Sequence, residues 1–328
     1  MTSIVDRDTW VLTDDGQHVP QTSSPDIIAT MLGLLDLHPG MRVLEIGTGS
    51  SYSTALLAHA VGSSGHVVSI DVDAALVERA RRLHRQAGHN NVTVHVGDGF
   101  AGWPEGAPYD RIITWATPPW LARTWAEQAA SGAVILTSVK IAEVALANAV
   151  LRCHITDGQP QQLSLHPGSM IEMHPEVMTE LRLPVRYVDA QYREPSGPYW
   201  ISGAQLHHDP DAADRLLRTL AAAASPSLPA VLDHDAWHAF KAWLLATHRN
   251  RAASAGGPDL WGIGLANPYS IAVIQPDCTV LHAGSEQMLH CLHDAALTWD
   301  DTGRPSFDAL SPTAHPVTDG WAITASLP

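Results

Sequence analysis

Two spacings of apolar residues alternate along the first 140 residues of the chain. Short β-prone runs such as 42–46 are followed by segments whose apolar positions recur at helical spacing, such as 74–87. Glycine marks several of the turns between them. The predicted strands are 42–46, 66–70, 91–96, 111–115 and 133–139, and the predicted helices are 26–37, 52–61 and 74–87. This alternation predicts an α/β fold, in which a parallel sheet is covered by helices on both faces.

The pattern changes after about residue 140. Residues 144–155 predict one or two strands, and 183–210, rich in proline, tyrosine and arginine, predict a crossing or linker. The remaining predicted elements are helices at 211–224, 235–247 and 285–296 and strands at 260–266, 270–275 and 320–325. We therefore expect two domains, an α/β domain over 1–182 and a smaller α+β domain over 183–328.

Charge and composition exclude several classes of partner. The chain has 19 basic and 34 acidic residues, a formal charge of −15, whereas nucleic acid and anionic lipid are bound by clustered Lys and Arg. No apolar run approaches the roughly 20 residues that span a bilayer, and the first residues lack the pattern of a secretory signal. Cys153, Cys278 and Cys291 form no CxxC motif. We expect a cytoplasmic protein with no nucleic-acid or membrane partner.

The most informative segment is Glu45-Ile46-Gly47-Thr48-Gly49-Ser50, where the first predicted strand turns into a helix. Glycine at such a turn lets the chain reverse sharply and lets a ligand approach the backbone. Tyr52 stands where the third glycine of a dinucleotide fingerprint would be. The turn by itself is therefore also compatible with an ordinary strand–helix connection.

Acidic residues after the next two strands favour a nucleoside pocket. Asp71 ends the second predicted strand, where a carboxylate can accept hydrogen bonds from both ribose hydroxyls. Asp71 could instead cap the following helix, but Asp73 is better placed for that role. Asp98, in Gly97-Asp98-Gly99 after the third strand, could reach an adenine amino group. The chain has neither a complete GxGxxG nor a Gly-Lys-Ser/Thr loop, which disfavours nicotinamide and triphosphate ligands.

The order of these motifs resembles the class I S-adenosylmethionine-dependent methyltransferases. It is most similar to the protein-L-isoaspartate O-methyltransferases, through the segments QTSSP at 21–25, LHPGMRVLEIGTGS at 37–50 and VGDGFAGWP with PYD at 96–110. The resemblance covers roughly residues 20–140, and Ser51 replaces the glycine usual in that family. A looser similarity of 297–308 and of the final Gly320-Trp321 links the chain to relatives that tailor ribosomally made bacterial peptides.

The resemblance implies a Rossmann-like class I sheet, S-adenosylmethionine as the cofactor and a role for each matching residue. Ser23 would touch the methyl-accepting carboxylate as the catalytic residue, and Ser24 and Trp115 would bind the substrate. The implied cofactor-binding residues are Glu45, Gly47, Thr48, Gly49, Ser50, Asp71, Val72, Asp98, Gly99 and Thr114. Ser23 could also cap the helix that begins near Pro25, and both roles could hold together.

This chemistry needs neither a strong base nor a metal, because a carboxylate of pKa about 4 is already ionised at neutral pH. The segment His290-Cys291-Leu292-His293 has metal-donor types but lacks a second pair of donors. We therefore expect no metal site.

Three hypotheses differ in the function that they assign to the residues beyond the resemblance. The leading one is methylation of an Asp side chain in a ribosomally synthesised, conformationally constrained peptide, whose ester then closes to a succinimide (aspartimide). The alternatives are repair of isoaspartyl proteins and, in another class, a cofactor-binding module without catalysis. Five tryptophans either form a peptide-binding surface or fill a core: Trp237, Trp243, Trp261, Trp299 and Trp321. The acidity of the chain disfavours an acidic peptide unless basic residues such as Arg186 and Arg193 face the site.

Overall fold

The computed structural model describes residues 5–181, 183–223, 232 and 236–327. Its strands are β1 (Arg42–Ile46), β2 (His66–Asp71), β3 (Val92–Val96), β4 (Tyr109–Thr114), β5 (Leu121–Ala122), β6 (Ala129–Lys140), β7 (Asn148–Thr156), β8 (Gln159–His166), β9 (Ala190–Glu194), β10 (Gly197–Gly203), β11 (Ala252–Gly256), β12 (Trp261–Asn267), β13 (Ser270–Ile274), β14 (Val280–Gly284), β15 (Ser311–Val317) and β16 (Gly320–Ser326). Its α-helices are α1 (Arg7–Val11), α2 (Pro25–Leu35), α3 (Tyr52–Val61), α4 (Ala74–Gln86), α5 (Arg123–Gln128), α6 (Pro210–Ala221), α7 (Trp237–Thr247) and α8 (Gln287–Asp301).

The first sheet is Rossmann-like. Within the described residues its strands follow the order β3-β2-β1-β4-β6-β7-β8. The pairs from β3 to β6 are parallel, so that Val43 of β1 lies beside Val67 of β2 and Arg111 of β4. Strands β7 and β8 extend the sheet antiparallel. The predicted parallel sheet is confirmed, and the strand order reverses at β1, where such sheets bind ligands beyond their carboxyl ends.

Side chains on the two faces of β1 enter two different apolar layers. Val43 packs with Met31 of α2 and Leu57 of α3. Leu44, the next residue, belongs to the layer that contains Trp125 of α5. This alternation is the period of two expected for a strand that is covered on both faces.

The second half forms an antiparallel meander in the order β14-β13-β12-β11-β10-β9. Helix α6 covers one of its faces through Leu216 and Leu217. Phe240 of α7 and Trp299 of α8 belong to the same buried cluster as Leu44 of the first sheet. The final strand β16 pairs with β15 and with the short β5. The smaller α+β arrangement is therefore as expected, and one apolar layer joins it to the first sheet.

The prediction of a linker over 183–210 is wrong, because this region contains a β-hairpin. Strands β9 and β10 pair antiparallel with Tyr192 opposite Tyr199, whose rings stack at 5.2 Å between centroids. The proline content favoured a loop, because proline has no backbone N–H to donate to a neighbouring strand. Pro198, however, lies before the part of β10 that pairs with β11, so no hydrogen bond between these two strands is lost. Five residues that bound predicted domains or helices lie outside the described residues: 1, 182, 224, 235 and 328.

The C-terminal end of α2 is fixed by a buried arginine from the neighbouring strand. Arg111 of β4 donates from Nε to the Leu35 carbonyl at 2.6 Å and from Nη2 to the Asp36 carbonyl at 2.9 Å. These carbonyls lie at a helix end, where no intrahelical N–H is available to them. An exposed carboxylate oxygen of Asp36 adds an ion pair at 3.6 Å.

We expect Arg111→Met to lower the free energy of unfolding by about 2–4 kcal/mol, because it leaves two carbonyls without their charged donor. Urea denaturation measures the change. Asp36→Asn is the matched control, since it removes only the exposed ion pair and should cost at most about 1 kcal/mol. Equal losses in the two variants would show that the carbonyl contacts contribute nothing.

Candidate functional site

A cavity of about 720 Å³ lies at the carboxyl ends of the parallel strands, a size typical of ligand sites. Four parts of the chain enclose it: the start of α2, the strand ends, the segment 167–181, and α7 with Trp261. The first two parts were expected from the sequence. The segment 167–181 was not expected, whereas Trp237 and Trp261 had been named as members of either a peptide-binding surface or a core.

The glycine turn after β1 requires its glycines for conformation and for close packing. Gly47 and Gly49 have φ values of +91° and +49°, which disfavour residues with a side chain. A Cβ on Gly49 would lie 2.3 Å from the carbonyl oxygen of Gln21, just before α2. The turn is therefore pressed against the segment that precedes Ser23.

Ser51 takes a left-handed conformation at φ +68° without being glycine. Its side chain is buried, donates to Thr54 Oγ1 at 3.0 Å and hydrogen-bonds with His84 Nε2 at 2.9 Å. These partners hold Ser51 in a backbone region that a residue with a Cβ rarely adopts. The departure from the family's usual glycine is thus accommodated by a local polar contact.

Asp71, at the end of β2, holds the turn from the other side. Its Oδ2 accepts the N–H of Gly49 at 2.9 Å, and its Oδ1 accepts the N–H of Asp73 at 3.0 Å. Burial raises the pKa of Asp71 above its ordinary value, and the two N–H contacts oppose that rise. An ionised carboxylate offers about four acceptor positions, so two remain for a ligand. Asp73 caps α4 by accepting the N–H of Ala75 at 2.8 Å, which confirms its predicted role.

Glu45 lies fully buried behind the cavity and does not line it. Its carboxylate accepts hydrogen bonds from four side chains: Ser53 Oγ at 2.5 Å, Thr54 Oγ1, Ser69 Oγ at 2.7 Å and Trp115 Nε1 at 2.9 Å. Burial raises the pKa of Glu45, and these four donors oppose the rise. Glu45 thus positions Trp115, which does line the cavity.

The predicted site residues divide into two groups. Those that line the cavity are Ser23, Ser24, Gly47, Gly49, Asp71, Val72, Gly99 and Trp115. Those that do not are Glu45, Thr48, Ser50, Asp98 and Thr114.

Internal contacts occupy several members of the second group. Thr48 Oγ1 hydrogen-bonds with Ser69 Oγ at 2.7 Å, and Thr114 Oγ1 with Thr137 Oγ1 at 2.6 Å. Asp98 is exposed and accepts the N–H of Phe100 at 2.9 Å. These residues shape the strand ends, and direct contact with a ligand stays a prediction for them.

Ser23 and Ser24 have different positions at the start of α2. Ser24 is the N-cap, with its Oγ accepting the N–H of Ile27 at 3.5 Å, and Pro25 follows as the first helical residue. Ser23 lines the cavity and is not the cap. The alternative that Ser23 caps the helix is therefore wrong by one residue.

The segment 167–181 was missed because it has no regular secondary structure of its own. Thr117 anchors it by donating its N–H to the Ile171 carbonyl at 2.7 Å and accepting the N–H of Met173 at 2.8 Å. Between them, Glu172 is buried and pairs with Lys140 Nζ at 2.5 Å. Prolines made this segment resemble a plain connection, and no local periodicity indicates that it covers a cavity.

The five tryptophans considered as a peptide-binding surface have two different environments. Trp243, Trp299 and Trp321 are buried in the core, whereas Trp237 and Trp261 also line the cavity.

Lys241, four residues after Trp237, lines the cavity as well, and the motif analysis missed it. The available signal was helical spacing, because positions i and i+4 share one helix face and Trp237 was assigned to the buried face. A lysine on such a face is unusual.

The two arginines that were expected to face an acidic substrate are bound to protein groups. Arg186 donates to the Met173 carbonyl at 3.0 Å, and Arg193 pairs with Glu180 at 3.2 Å. Neither lines the cavity.

Two further kinds of feature, metal-binding clusters and membrane-spanning helices, are absent from the described part of the chain. Within these ranges no group of three or more His, Cys, Asp or Glu side chains is arranged to hold a metal ion. No helix in the described ranges is both long enough and apolar enough to cross a membrane.

We expect Glu45→Ala to lower the free energy of unfolding by about 3–5 kcal/mol, because four buried donors lose their acceptor together. Ser53→Ala, which removes one of the four donors, should cost only about 1 kcal/mol. Urea denaturation of both variants checks this. A Glu45→Ala variant as stable as the wild type would rule out the network as a determinant of stability.

The first part of the chain is similar to proteins of known family. Residues 11–152 match the family model "Protein-L-isoaspartate(D-aspartate) O-methyltransferase (PCMT)". The protein-L-isoaspartate O-methyltransferase of Methanothermobacter thermautotrophicus is 40% identical over 117 residues, 36% of this chain and 54% of that protein. The protein of the same name from Erwinia tasmaniensis is 44% identical over 117 residues, 36% of this chain and 55% of that protein. The chain spans about half the length of these curated relatives.

Solved structures were compared as well. A structure named protein-L-isoaspartate O-methyltransferase aligns with 98% of this chain and 92% of its own at 19% identity, with a TM-score of 0.49. The similarity depends on the sequence match, which includes the glycine turn, Ser23, Asp71 and Asp98. Residues 11–152 of this chain are therefore similar in sequence to the protein-L-isoaspartate O-methyltransferases.

Proposed function

We propose that this chain is an S-adenosylmethionine-dependent carboxyl O-methyltransferase that acts on an aspartyl-type residue of a peptide. One observation carries the proposal: a single cavity extends from the glycine turn and Asp71 to Ser23 and on to α7. The match of residues 11–152 to the family model, and the names of the relatives that match there, support it. No disulfide joins the cysteines of the described residues, which supports a cytoplasmic setting for the reaction.

The residues at the strand ends fit a nucleoside cofactor. Gly47 and Gly49 have no side chain that could fill the cavity beside them, and Asp71 retains acceptor capacity for two hydroxyl groups. Ile46, Ile70 and other apolar residues line the same region and would suit an adenine ring. S-adenosylmethionine, when bound there, supplies an electrophilic methyl group on its sulfonium.

The chain's own contribution to such a transfer is alignment and exclusion of water. A carboxylate acceptor needs no proton removed, so no general base is required. Correct alignment of reactants can lower a barrier by roughly 7–11 kcal/mol. Ser23 would orient the acceptor through its hydroxyl, and Trp115, fixed by Glu45, would limit the access of water.

The finer proposal concerns the substrate. We favour an Asp side chain of a ribosomally synthesised, conformationally constrained peptide, whose methyl ester is displaced by a backbone nitrogen to give a succinimide. The support is that the C-terminal half contributes Trp237, His238, Lys241 and Trp261 to the cavity. These residues lie outside the segment that matches the family, so substrate contacts specific to this chain are available.

Isoaspartyl repair is the second candidate. The observation that favours it is the 40–44% identity to proteins named protein-L-isoaspartate O-methyltransferase across the strand-end region. Both candidates share the acceptor chemistry and differ in the shape of the peptide that enters the cavity.

Mass spectrometry after incubation with S-adenosylmethionine distinguishes the candidates. Constrained Asp peptides with lanthionine, ester or lasso rings, and linear isoaspartyl peptides, are offered separately. We expect the constrained peptide to gain one methyl group and then lose methanol, which leaves it one water lighter than at the start. Turnover of isoaspartyl peptides alone would establish repair, and cofactor binding without transfer to any peptide would indicate a non-catalytic module.

We expect Ser23→Ala to lower kcat/KM for methyl transfer about 10- to 100-fold, because one aligning hydrogen bond to the acceptor is lost. Binding of S-adenosylhomocysteine, measured by calorimetry, should stay nearly unchanged. The matched variant is Ser24→Ala, which removes the N-cap contact and should mainly reduce stability, by at most about 1 kcal/mol. Unchanged transfer in Ser23→Ala would remove Ser23 from the mechanism.

A further inference from the structure

The chain contains only two lysines, Lys140 and Lys241, against 17 arginines. Surface charge is the usual role of lysine, which is almost never fully buried unless it is paired. Here both lysines are buried, with 7% of Lys140 and 6% of Lys241 exposed. Lys140 is close enough for its positive charge to affect Lys241. Both lysines are thus located where an ammonium group is costly to place.

Lys140 has the partner that burial requires. Its Nζ lies 2.5 Å from Glu172 Oε1, and Glu172 Oε2 also accepts the N–H groups of Val185 and Arg186. Burial lowers the pKa of Lys140, and Glu172 opposes that change. The opposite charges of Lys140 and Glu172 compensate each other, which accounts for the burial of both side chains.

Lys241 has no such partner. Among the described residues, no carboxylate or carbonyl forms an ion pair or hydrogen bond with its ammonium, whose nearest aromatic contact is the Trp237 ring at 5.7 Å from Nζ to centroid. Burial and the positive charge of Lys140 lower its pKa to about 8. An unpaired buried ammonium destabilises the folded chain, so stability does not account for it.

The cavity wall shows where a compensating charge could come from. Lys241 lines the cavity beside Trp237, His238 and Trp261, and the buried lining residue Glu172 is already paired with Lys140. A negatively charged group that enters the cavity would therefore meet an ammonium with free donors in a mainly apolar setting. Charge-assisted hydrogen bonds are strong in such settings.

We propose that Lys241 is the receptor for a second carboxylate of the peptide substrate, distinct from the carboxylate that is methylated. This inference rests on the proposed function. The two carboxylates must differ because methylation removes the acceptor's charge. An ammonium bonded to the attacking oxygen would stabilise the charged ground state more than the transition state and would slow the reaction. A neighbouring carboxylate stays charged throughout, so its pairing with Lys241 stabilises the bound peptide at every step.

The substrate class that follows is a peptide with an Asp or Glu close to the methylated residue. This changes the expectation drawn from the charge of −15, because α7 contributes an unpaired ammonium to the cavity although the whole chain is acidic. Lys241 is then the basic group that binds the acidic substrate. Arg186 and Arg193 do not have this role, because their guanidinium groups contact Glu172, Met173 and Glu180.

Steady-state kinetics test the proposal with a pair of peptides that differ only in a neighbouring Glu or Gln. For the Glu peptide, Lys241→Met should raise KM about tenfold or more with little change in kcat, and Lys241→Arg should restore part of the loss. For the Gln peptide the variants and the wild type should be alike. Arg215→Met, which removes a positive charge from the exposed face of α6, is the matched control and should leave the KM of both peptides unchanged.

Two further measurements accompany the kinetics. The melting temperature of Lys241→Met should rise, because an unpaired buried charge is removed, and this shows that the variant is folded. Binding of S-adenosylhomocysteine should be unchanged. If Lys241→Met instead weakens cofactor binding and leaves the KM of both peptides unaltered, Lys241 recognises the cofactor and the proposal is overturned.

A spectroscopic test does not depend on turnover. Labelling with [ε-13C]lysine gives two side-chain NMR signals, which Lys241→Arg assigns. With S-adenosylhomocysteine present, the Glu peptide should raise the pKa reported by the Lys241 signal, and the Gln peptide should not. An unchanged Lys241 signal with bound Glu peptide would overturn the proposal. A shifted signal without any methyl transfer would support carboxylate recognition while refuting the proposed catalysis.

Discussion

The site depends on one buried negative charge, the carboxylate of Glu45. Removing a carboxylate from water costs several kcal/mol, and here four side-chain donors offset that cost. The donors come from the start of α3, from β2 and from Trp115 beyond β4. The Glu45 carboxylate therefore connects β1, β2, α3 and Trp115 in the cavity wall. These contacts also fix the position of the glycine turn that follows β1. The role of Glu45 is to hold the parts that line the cavity.

The second constraint is the continuity of the apolar core. The layer on one face of β1 includes Phe240 and Trp299, so the C-terminal half is packed on the sheet that it serves. The pairing of Trp321 in β16 with Leu121 in β5 adds a contact at the far end of the chain. Because of this packing, α7 can present Trp237 and Lys241 to a cavity whose other wall lies at the strand ends. The cavity is thus composed of residues more than 200 positions apart in the sequence.

Most strands, helices and turns of the first half could be predicted from local sequence patterns. The turn at Gly47 and Gly49, the strand-end Asp71 and the cap Asp73 follow from periodicity and turn chemistry, which act over a few residues. The rest depended on tertiary contacts. Nothing near 167–181 indicates that it covers a ligand site, and Glu45 has the same strand position whether it binds a ligand or Ser53. The hairpin at β9 and β10 was missed because proline was weighed without knowing which edge of its strand would be paired.

The location of both lysines has a consequence for how this protein can be probed. A folded chain whose lysines are 7% and 6% exposed offers amine-selective reagents almost nothing on its side chains. Acylating reagents would then act as reporters of the cavity, since modification of Lys241 requires the reagent to enter it. The rate of its acylation, with and without a ligand, would measure how accessible the cavity is.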